Sequence, residues 1–135
     1  MTFPYKDAVI RCVRDRLPDV RAIYRYGSAG TERERPDSDV DIAVLPAAPL
    51  SPETRLALSG DLGGVMGRSV DLVDLLAAPT VLRAHIVASG ERLFCADERA
   101  CAVFEDYAFS SYAKFSDERR ELVADILGRG SVHGR

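Results

Sequence analysis

Residues 26–45 read YGSAGTERERPDSDVDIAVL and contain the features that decide the fold. The pair Gly27-Ser28 is followed after ten residues by Asp39-Val40-Asp41 and then by an apolar run. The alternating residues before Gly27 and the apolar run after Asp41 each predict a strand, with a turn between them. Because residues i and i+2 of a strand point to the same face, the Asp39 and Asp41 carboxylates should lie side by side, roughly 7 Å apart at Cα.

These two carboxylates have two possible interpretations. Either Asp39 belongs to a turn and Asp41 to the solvated face of a strand edge, or the two form a metal site. Asp41 is followed at once by four apolar residues, and an acid that enters a buried strand needs a partner such as a metal ion. Gly27 allows a ligand to approach the backbone closely, and the amide and hydroxyl of Ser28 can hold a phosphate. Gly-Ser alone is equally typical of a tight turn, but the combination predicts a site for divalent metal and nucleotide phosphates.

The rest of the chain predicts a sheet with helices on its faces, in the order α-β-(short α)-β-α-β-α-β-α. The helices are predicted at 5–17, 51–67, 79–88 and 97–127, and the strands at 21–26, 39–45, 70–76 and 92–95. Ser116-Asp117-Glu118 is a possible interruption of the last helix. We expect one domain over residues 1–127, including the C-terminal helices, and a flexible tail over 128–135.

The composition is that of an ordinary globular domain. The chain has 135 residues, of which 47% are apolar and 29% charged, with a net charge of −3. The acidic balance favours neither nucleic acid nor an anionic membrane surface, and no apolar run approaches the roughly 20 residues that span a bilayer. Three cysteines, an odd number, favour a reducing cytoplasmic setting.

Residues 26–45 resemble the nucleotidyltransferase signature of the DNA polymerase beta superfamily, Gly-Ser followed by Asp-x-Asp. The segments RSVDLVDL at 68–75 and GERLFC at 90–95, and the aromatic C-terminal helix, are similar to the minimal nucleotidyltransferases, the MNT group. The resemblance covers nearly the whole chain. It implies an α/β (α+β) class with the polymerase-beta-like fold, a small mixed sheet flanked by helices and a C-terminal helical stretch.

The resemblance also implies the residues of the site. Asp39 and Asp41 would bind two Mg²⁺ ions with ATP as substrate, and Gly27 and Ser28 would contact the nucleotide. A third carboxylate is expected from the next strand, where Asp71 is favoured over Asp74. These two residues are three positions apart, so they face opposite sides of the strand and only one can complete the site.

The MNT group resembles the antitoxin half of MNT–HEPN toxin–antitoxin pairs. The implied function is a Mg-dependent protein adenylyltransferase, which moves AMP from ATP to a tyrosine hydroxyl of a partner HEPN ribonuclease toxin and neutralises it. One alternative is a nucleotidyltransferase with a small-molecule acceptor, as in antibiotic resistance. The other is an antitoxin that acts by binding alone.

Two further features are open to more than one interpretation. Arg33, Arg35 and Arg68 are candidates for phosphate contacts, but a solvated loop face, with Glu32 and Glu34 balancing the charge, is the favoured interpretation of Arg33 and Arg35. The aromatic stripe at 104–115 either packs on the sheet as core or leaves an exposed edge that receives a partner.

Overall fold

The computed structural model describes residues 3–27 and 39–133, with side chains given as far as residue 128. The predicted Ser28 contact and the candidates Arg33 and Arg35 lie outside these ranges. The described chain forms four helices and four strands in the order α1 (Lys6–Arg16), β1 (Ala22–Tyr26), β2 (Val40–Leu45), α2 (Pro52–Met66), β3 (Val70–Asp74), α3 (Thr80–Ser89), β4 (Glu91–Cys95) and α4 (Glu98–His133).

The four strands form one mixed sheet in the order β3-β2-β1-β4. β1 lies antiparallel to both β2 and β4, whereas β2 and β3 are parallel. The parallel pair follows from its connection, because α2 carries the chain back to the edge at which β2 began. The predicted fold class, a small mixed sheet flanked by helices, is confirmed.

Local sequence signals set both ends of helix α2. The Ser51 hydroxyl accepts a hydrogen bond from the Thr54 amide at 3.1 Å, and Pro52 occupies the first helical turn, where its missing N–H costs nothing. Gly67 ends the helix with φ of 64°, a left-handed conformation that favours glycine.

Each face of the sheet has its own apolar core, because strand residues alternate between the faces. Ile23, Ile42 and Val44 face α1 and α2 and belong to a cluster that also holds Leu58 and Leu62. The opposite face belongs to a second cluster, which includes Ala22, Tyr24, Ala43, Ile86 and Cys101. α3 and α4 cover that second face.

Helix α4 differs from the expectation at two places. It passes through 116–118 without a break, and Asp117 and Arg120 form an exposed ion pair one turn apart at 3.7 Å. A loose tail was predicted from Gly128, whereas the backbone stays helical to His133. A glycine inside a helix costs only about 1 kcal/mol relative to alanine, which does not by itself end a long helix.

The aromatic stripe of α4 is core only in its first part. Ala108 is buried and Phe104 is half-buried against the second cluster. Tyr107, Tyr112 and Phe115 are exposed, so packing on the sheet ends near residue 108. Within the described ranges no helix is both long enough and apolar enough to cross a bilayer.

Candidate active site

Three carboxylates lie in a row at the edge of the sheet where β2 and β3 begin. Asp41 is the second residue of β2 and pairs in register with Asp71 of β3, so the two lie directly beside each other on parallel strands, about 4.8 Å apart. Asp39 precedes β2 by one residue and shares the face of Asp41 by strand alternation. The sequence therefore predicted correctly that these acids fold onto neighbouring strands.

The pKa of Asp41 shows that the other two carboxylates act on it. Burial raises the pKa of Asp41, and the negative charges of Asp71 and Asp39 raise it further. Like charges set side by side on a sheet destabilise it. In the described part of the chain, no lysine or arginine forms an ion pair with any of the three.

Mg²⁺ prefers oxygen ligands such as carboxylates, and no cationic side chain of the described residues competes for these three. The residue types present therefore fit a divalent metal ion. They do not yet converge on one point. Among residues 3–27 and 39–133, no three His, Cys, Asp or Glu side chains are close enough together to hold an ion. A cation would thus draw together carboxylates that the sheet has placed in a row and that repel one another without it.

Gly27 lies directly against this row. It has φ of 77°, and a Cβ added there would overlap Oδ2 of Asp41 and stand 3.1 Å from its Cγ. Only glycine fits both the backbone conformation and the space. The backbone after β1 therefore passes beside the carboxylate of Asp41, as expected for a turn that lets a ligand approach.

The structure separates the two candidates for the third carboxylate. Asp74 is buried on the opposite face, where Oδ2 accepts from the Leu50 amide at 2.8 Å and Oδ1 accepts from the Leu76 amide at 2.9 Å. Both oxygens are thus occupied in fixing the ends of two loops. Asp71 is exposed beside Asp41 and accepts no hydrogen bond from the described residues.

Tyr26 extends the row onto a third strand, a placement that sequence reasoning missed. It pairs in register with Asp41 across the antiparallel β1–β2 ladder, and its ring packs on the second cluster. Burial, with the charges of Asp41 and Asp71, raises the pKa of Tyr26 to about 12. Its phenol therefore stays protonated at neutral pH. The alternation of Tyr24 and Tyr26 along β1 indicates that both share one face, but only the register with β2 shows that this is the face of Asp41.

A half-buried polar cluster lies on the same face of the sheet, further from the three carboxylates. The Tyr24 hydroxyl donates to Oε2 of Glu105 on α4 at 2.8 Å, and Arg92 of β4 donates to the same oxygen at 3.2 Å. Arg92 also pairs with Glu98 at 2.8 Å. These contacts fix α4 over the strands β1 and β4.

Arg68 is the remaining candidate within the described residues, two positions before β3. Arg68 lines a cavity between α2 and the start of β3, with Ser59 and Gly63.

A cavity of about 1020 Å³ lies between α1 and α2 and includes Asp15 and Asp61 but none of the three carboxylates. Asp71 lines a smaller cavity, of about 480 Å³, together with Arg55 and Ser59 of α2.

Known proteins are similar to this chain in sequence and in fold. Residues 9–99 match the polymerase beta nucleotidyltransferase family. The protein adenylyltransferase MntA of Shewanella oneidensis is 32% identical over 122 residues, which cover 90% of this chain and 87% of that protein.

Two solved structures are similar over nearly their whole length. A toxin–antitoxin structure with AMP-PNP has a TM-score of 0.80 and 32% identity, over 90% of this chain and 98% of the other. A tri-AMPylated Shewanella oneidensis HEPN toxin in complex with its MNT antitoxin provides a chain with a TM-score of 0.75 and 32% identity, over 90% and 95% of the two chains.

Proposed function

The chain belongs to the polymerase beta nucleotidyltransferase family, and on that premise we propose that it transfers AMP from ATP to a tyrosine hydroxyl of a HEPN toxin and so neutralises the toxin. The observation that carries the proposal is the row of Asp39, Asp41 and Asp71, with the backbone of Gly27 against it. MntA, which is 32% identical, is a protein adenylyltransferase, and a similar antitoxin chain is found with an AMPylated HEPN toxin.

In this proposal Asp39 and Asp41 hold Mg²⁺ together with the triphosphate. The ion, when bound, would offset the negative charge of the phosphates and lower the pKa of the attacking hydroxyl. Gly27 leaves space for the phosphates beside Asp41, and Ser28 follows it as the expected phosphate contact. The protein thus contributes position and charge, which account for most of the catalysis in phosphoryl transfer.

Asp71 occupies the outer side of the row, because β3 is an edge strand. An acceptor hydroxyl that approaches from this edge meets Asp71, which accepts its proton. The tyrosine oxygen then forms a bond to the α-phosphorus, and the bond from that phosphorus to the bridging oxygen breaks. Pyrophosphate leaves on the side of Gly27.

The setting of the reaction follows from the same residues. Cys12, Cys95 and Cys101 are all free thiols, which fits a reducing compartment, and we propose that the protein acts in the cytoplasm.

The test is to incubate the protein with ATP, Mg²⁺ and the HEPN protein encoded beside it, and to measure the intact mass of that partner. We expect the partner to gain one AMP unit or more, and the gain to disappear in Asp39→Asn and Asp41→Asn. Neutralisation that survives both substitutions with no mass gain would establish an antitoxin that acts by binding alone. A gain found only on an aminoglycoside would establish a small-molecule acceptor.

A further inference from the structure

Two of the three cysteines meet at the junction between β4 and α4. Cys95 is the last residue of β4, and Cys101 is the fourth residue of α4. Both belong to the second core cluster, and their thiols are in hydrogen-bond contact with each other. Cys12 packs on the first cluster, on the other face of the sheet. The chain thus holds one thiol pair and one separate thiol.

Backbone hydrogen bonds fix the chain on both sides of this pair. The carbonyl oxygen of Arg21, just before β1, accepts from the amide of Ala96, the residue after Cys95, at 2.9 Å. The Cys101 thiol donates to the same oxygen at 3.7 Å. The Cys101 amide donates to the carbonyl oxygen of Asp97 at 3.0 Å and closes the first turn of α4. The fold itself therefore places the two thiols together.

The two thiols differ in exposure and in their hold on the proton. Cys101 is fully buried, whereas Cys95 is half-buried and so open to a small solute. Burial, followed by the hydrogen bond to Cys95, raises the pKa of Cys101 to about 12. Cys101 therefore keeps its proton at neutral pH, and the sulfur of Cys95 is one of its acceptors. A donated hydrogen bond stabilises negative charge on the Cys95 sulfur, so Cys95 is the thiol that attacks an oxidant.

The same placement suits a covalent bond between the two sulfurs. A disulfide requires sulfurs about 2.05 Å apart and Cα atoms within roughly 7 Å of each other. The sulfurs of Cys95 and Cys101 are already adjacent, and Cys95 stands at the end of its strand. Bond formation therefore calls for rotation of side chains rather than a shift of β4 or α4.

We propose that Cys95 and Cys101 form a reversible oxidation site, at which a peroxide converts the two thiols to a disulfide that joins β4 to α4. In a reducing compartment such a pair rests as thiols and forms its bond only when an oxidant appears. The site needs neither ATP nor a partner protein, so it does not depend on the proposed function.

The oxidation takes place in two steps. The Cys95 sulfur attacks one oxygen of hydrogen peroxide, an S–O bond forms as the O–O bond breaks, and the other oxygen leaves as water with the Cys95 proton. The Cys101 sulfur then attacks the Cys95 sulfur, the S–S bond forms as the S–O bond breaks, and the hydroxyl group leaves as water with the Cys101 proton. The two thiols together lose two electrons, which the peroxide gains. A dithiol such as dithiothreitol restores both thiols by exchange.

Cys12 provides the comparison within the same chain. It is half-buried like Cys95, but it lines the cavity between α1 and α2, and both other thiols lie on the opposite face of the sheet. Burial and the negative charges of Asp61 and Asp15 raise the pKa of Cys12, against the effect of Arg16, which lowers it. Cys12 should therefore stay a thiol under conditions that oxidise the pair.

The test treats the full-length protein with a small excess of hydrogen peroxide, alkylates the remaining thiols after denaturation, and maps them by mass spectrometry. Tryptic cleavage after Arg99 separates Cys95 from Cys101, so the disulfide appears as the peptides 93–99 and 100–114 joined together. The bond also lowers the intact mass by about 2 Da, because two hydrogens are lost. Circular dichroism before and after oxidation shows whether the fold is kept.

We expect the joined peptides as the main product, with two of the three thiols protected from alkylation and both recovered by dithiothreitol. The pair should react about 10-fold faster than Cys12 or more, and Cys12→Ser should oxidise like the wild type. Cys101→Ala should instead gain about 16 or 32 Da at Cys95, which then has no thiol to close the bond. Cys95→Ser, a change at a half-exposed position, should leave the buried Cys101 unoxidised.

Thermal unfolding tests whether the fold is already arranged for the bond. The oxidised protein should unfold at a temperature higher by roughly 4 °C or more, because the bond closes a loop in the unfolded chain without straining the folded one. An unfolding temperature that falls on oxidation would contradict this.

Three mapping results would overturn the proposal. The first is oxidation of Cys12 as fast as that of the pair. The second is a wild-type protein in which Cys95 gains oxygen and the joined peptides do not form. The third is a disulfide found only between two chains, seen as a doubled intact mass that dithiothreitol halves.

Discussion

Ionisation of Asp41 destabilises the folded protein, although the proposed metal site needs the ionised carboxylate. Its raised folded-state pKa means that ionisation costs the folded state more than the unfolded one. The stability associated with Asp41 is therefore complete below its ordinary pKa of 3.8 and is lost as the pH rises through the raised value. A cation bound beside Asp41 would restore the lost stability.

Asp41→Asn should consequently stabilise the metal-free protein at pH 7. The gain should be below about 1 kcal/mol, because the site is half-exposed and solvent screens its charges. Urea unfolding at pH 7 and at pH 3 measures it, and the gain should vanish at pH 3, where Asp41 is protonated. A variant that is less stable than the wild type at pH 7 would show that the carboxylate has a structural partner.

Gly27 provides the second test at this scale. Gly27→Ala places a Cβ on the Asp41 carboxylate at a positive φ, so we expect a loss of about 1–2 kcal/mol in stability and a clear loss of nucleotide binding. Gly64→Ala is the control, because a Cβ there meets nothing within 4 Å inside helix α2 and should stabilise by up to about 1 kcal/mol. Calorimetric ATP titration and urea unfolding of both variants check this, and equal behaviour of the two would contradict it.

At the scale of elements, the strands and caps were predictable because their signals are local. Ser51, Pro52 and Gly67 mark the ends of α2 through hydrogen bonds and backbone angles that depend on a few neighbouring residues. The continuity of α4 was not predictable in this way. Ser116-Asp117-Glu118 is typical of a helix start, but a helix already formed on the sheet extends through such residues at little cost.

Helix α4 should therefore be uneven in stability. Amide hydrogen exchange should be slow over 101–108, where α4 packs on the sheet and on α3, and fast over 112–127, where the described chain gives no tertiary support. Exchange followed by mass spectrometry on the isolated protein measures this contrast. Uniform protection along α4 would mean that another surface already covers the second half.

At the scale of the whole molecule, the sheet brings together residues that are distant in sequence. The parallel pairing of β2 and β3 was expected, because a helix between two strands predicts a parallel pair, whereas the third carboxylate beside Asp41 was implied by the resemblance to the family. The choice between Asp71 and Asp74 followed from strand alternation only in part, since the sequence does not show which face carries the site. The amides of Leu50 and Leu76, which occupy Asp74, come from loops whose positions depend on the complete fold.

Ligand binding at the carboxylate edge should stabilise the whole domain. At ATP and Mg²⁺ concentrations about 100 times the dissociation constant, the free energy of unfolding should rise by about 2.7 kcal/mol. The shift should be much smaller in Asp39→Asn combined with Asp41→Asn. Thermal unfolding with and without Mg²⁺ measures it, and an equal shift in the double variant would place the nucleotide elsewhere.

The most direct measurement for the account is the rate of AMP transfer to the HEPN partner by Asp71→Asn and by Asp74→Asn, each with its free energy of unfolding. Asp71→Asn should slow transfer by about 100-fold or more with nearly unchanged stability, because in the proposed mechanism Asp71 accepts the acceptor's proton, and it binds no other described group. Asp74→Asn should lower stability by about 1–3 kcal/mol, because the amide that replaces its carboxylate cannot accept both backbone hydrogen bonds, and should leave the transfer rate of the folded protein intact. The reverse result, with transfer lost in folded Asp74→Asn and kept in Asp71→Asn, would contradict the account.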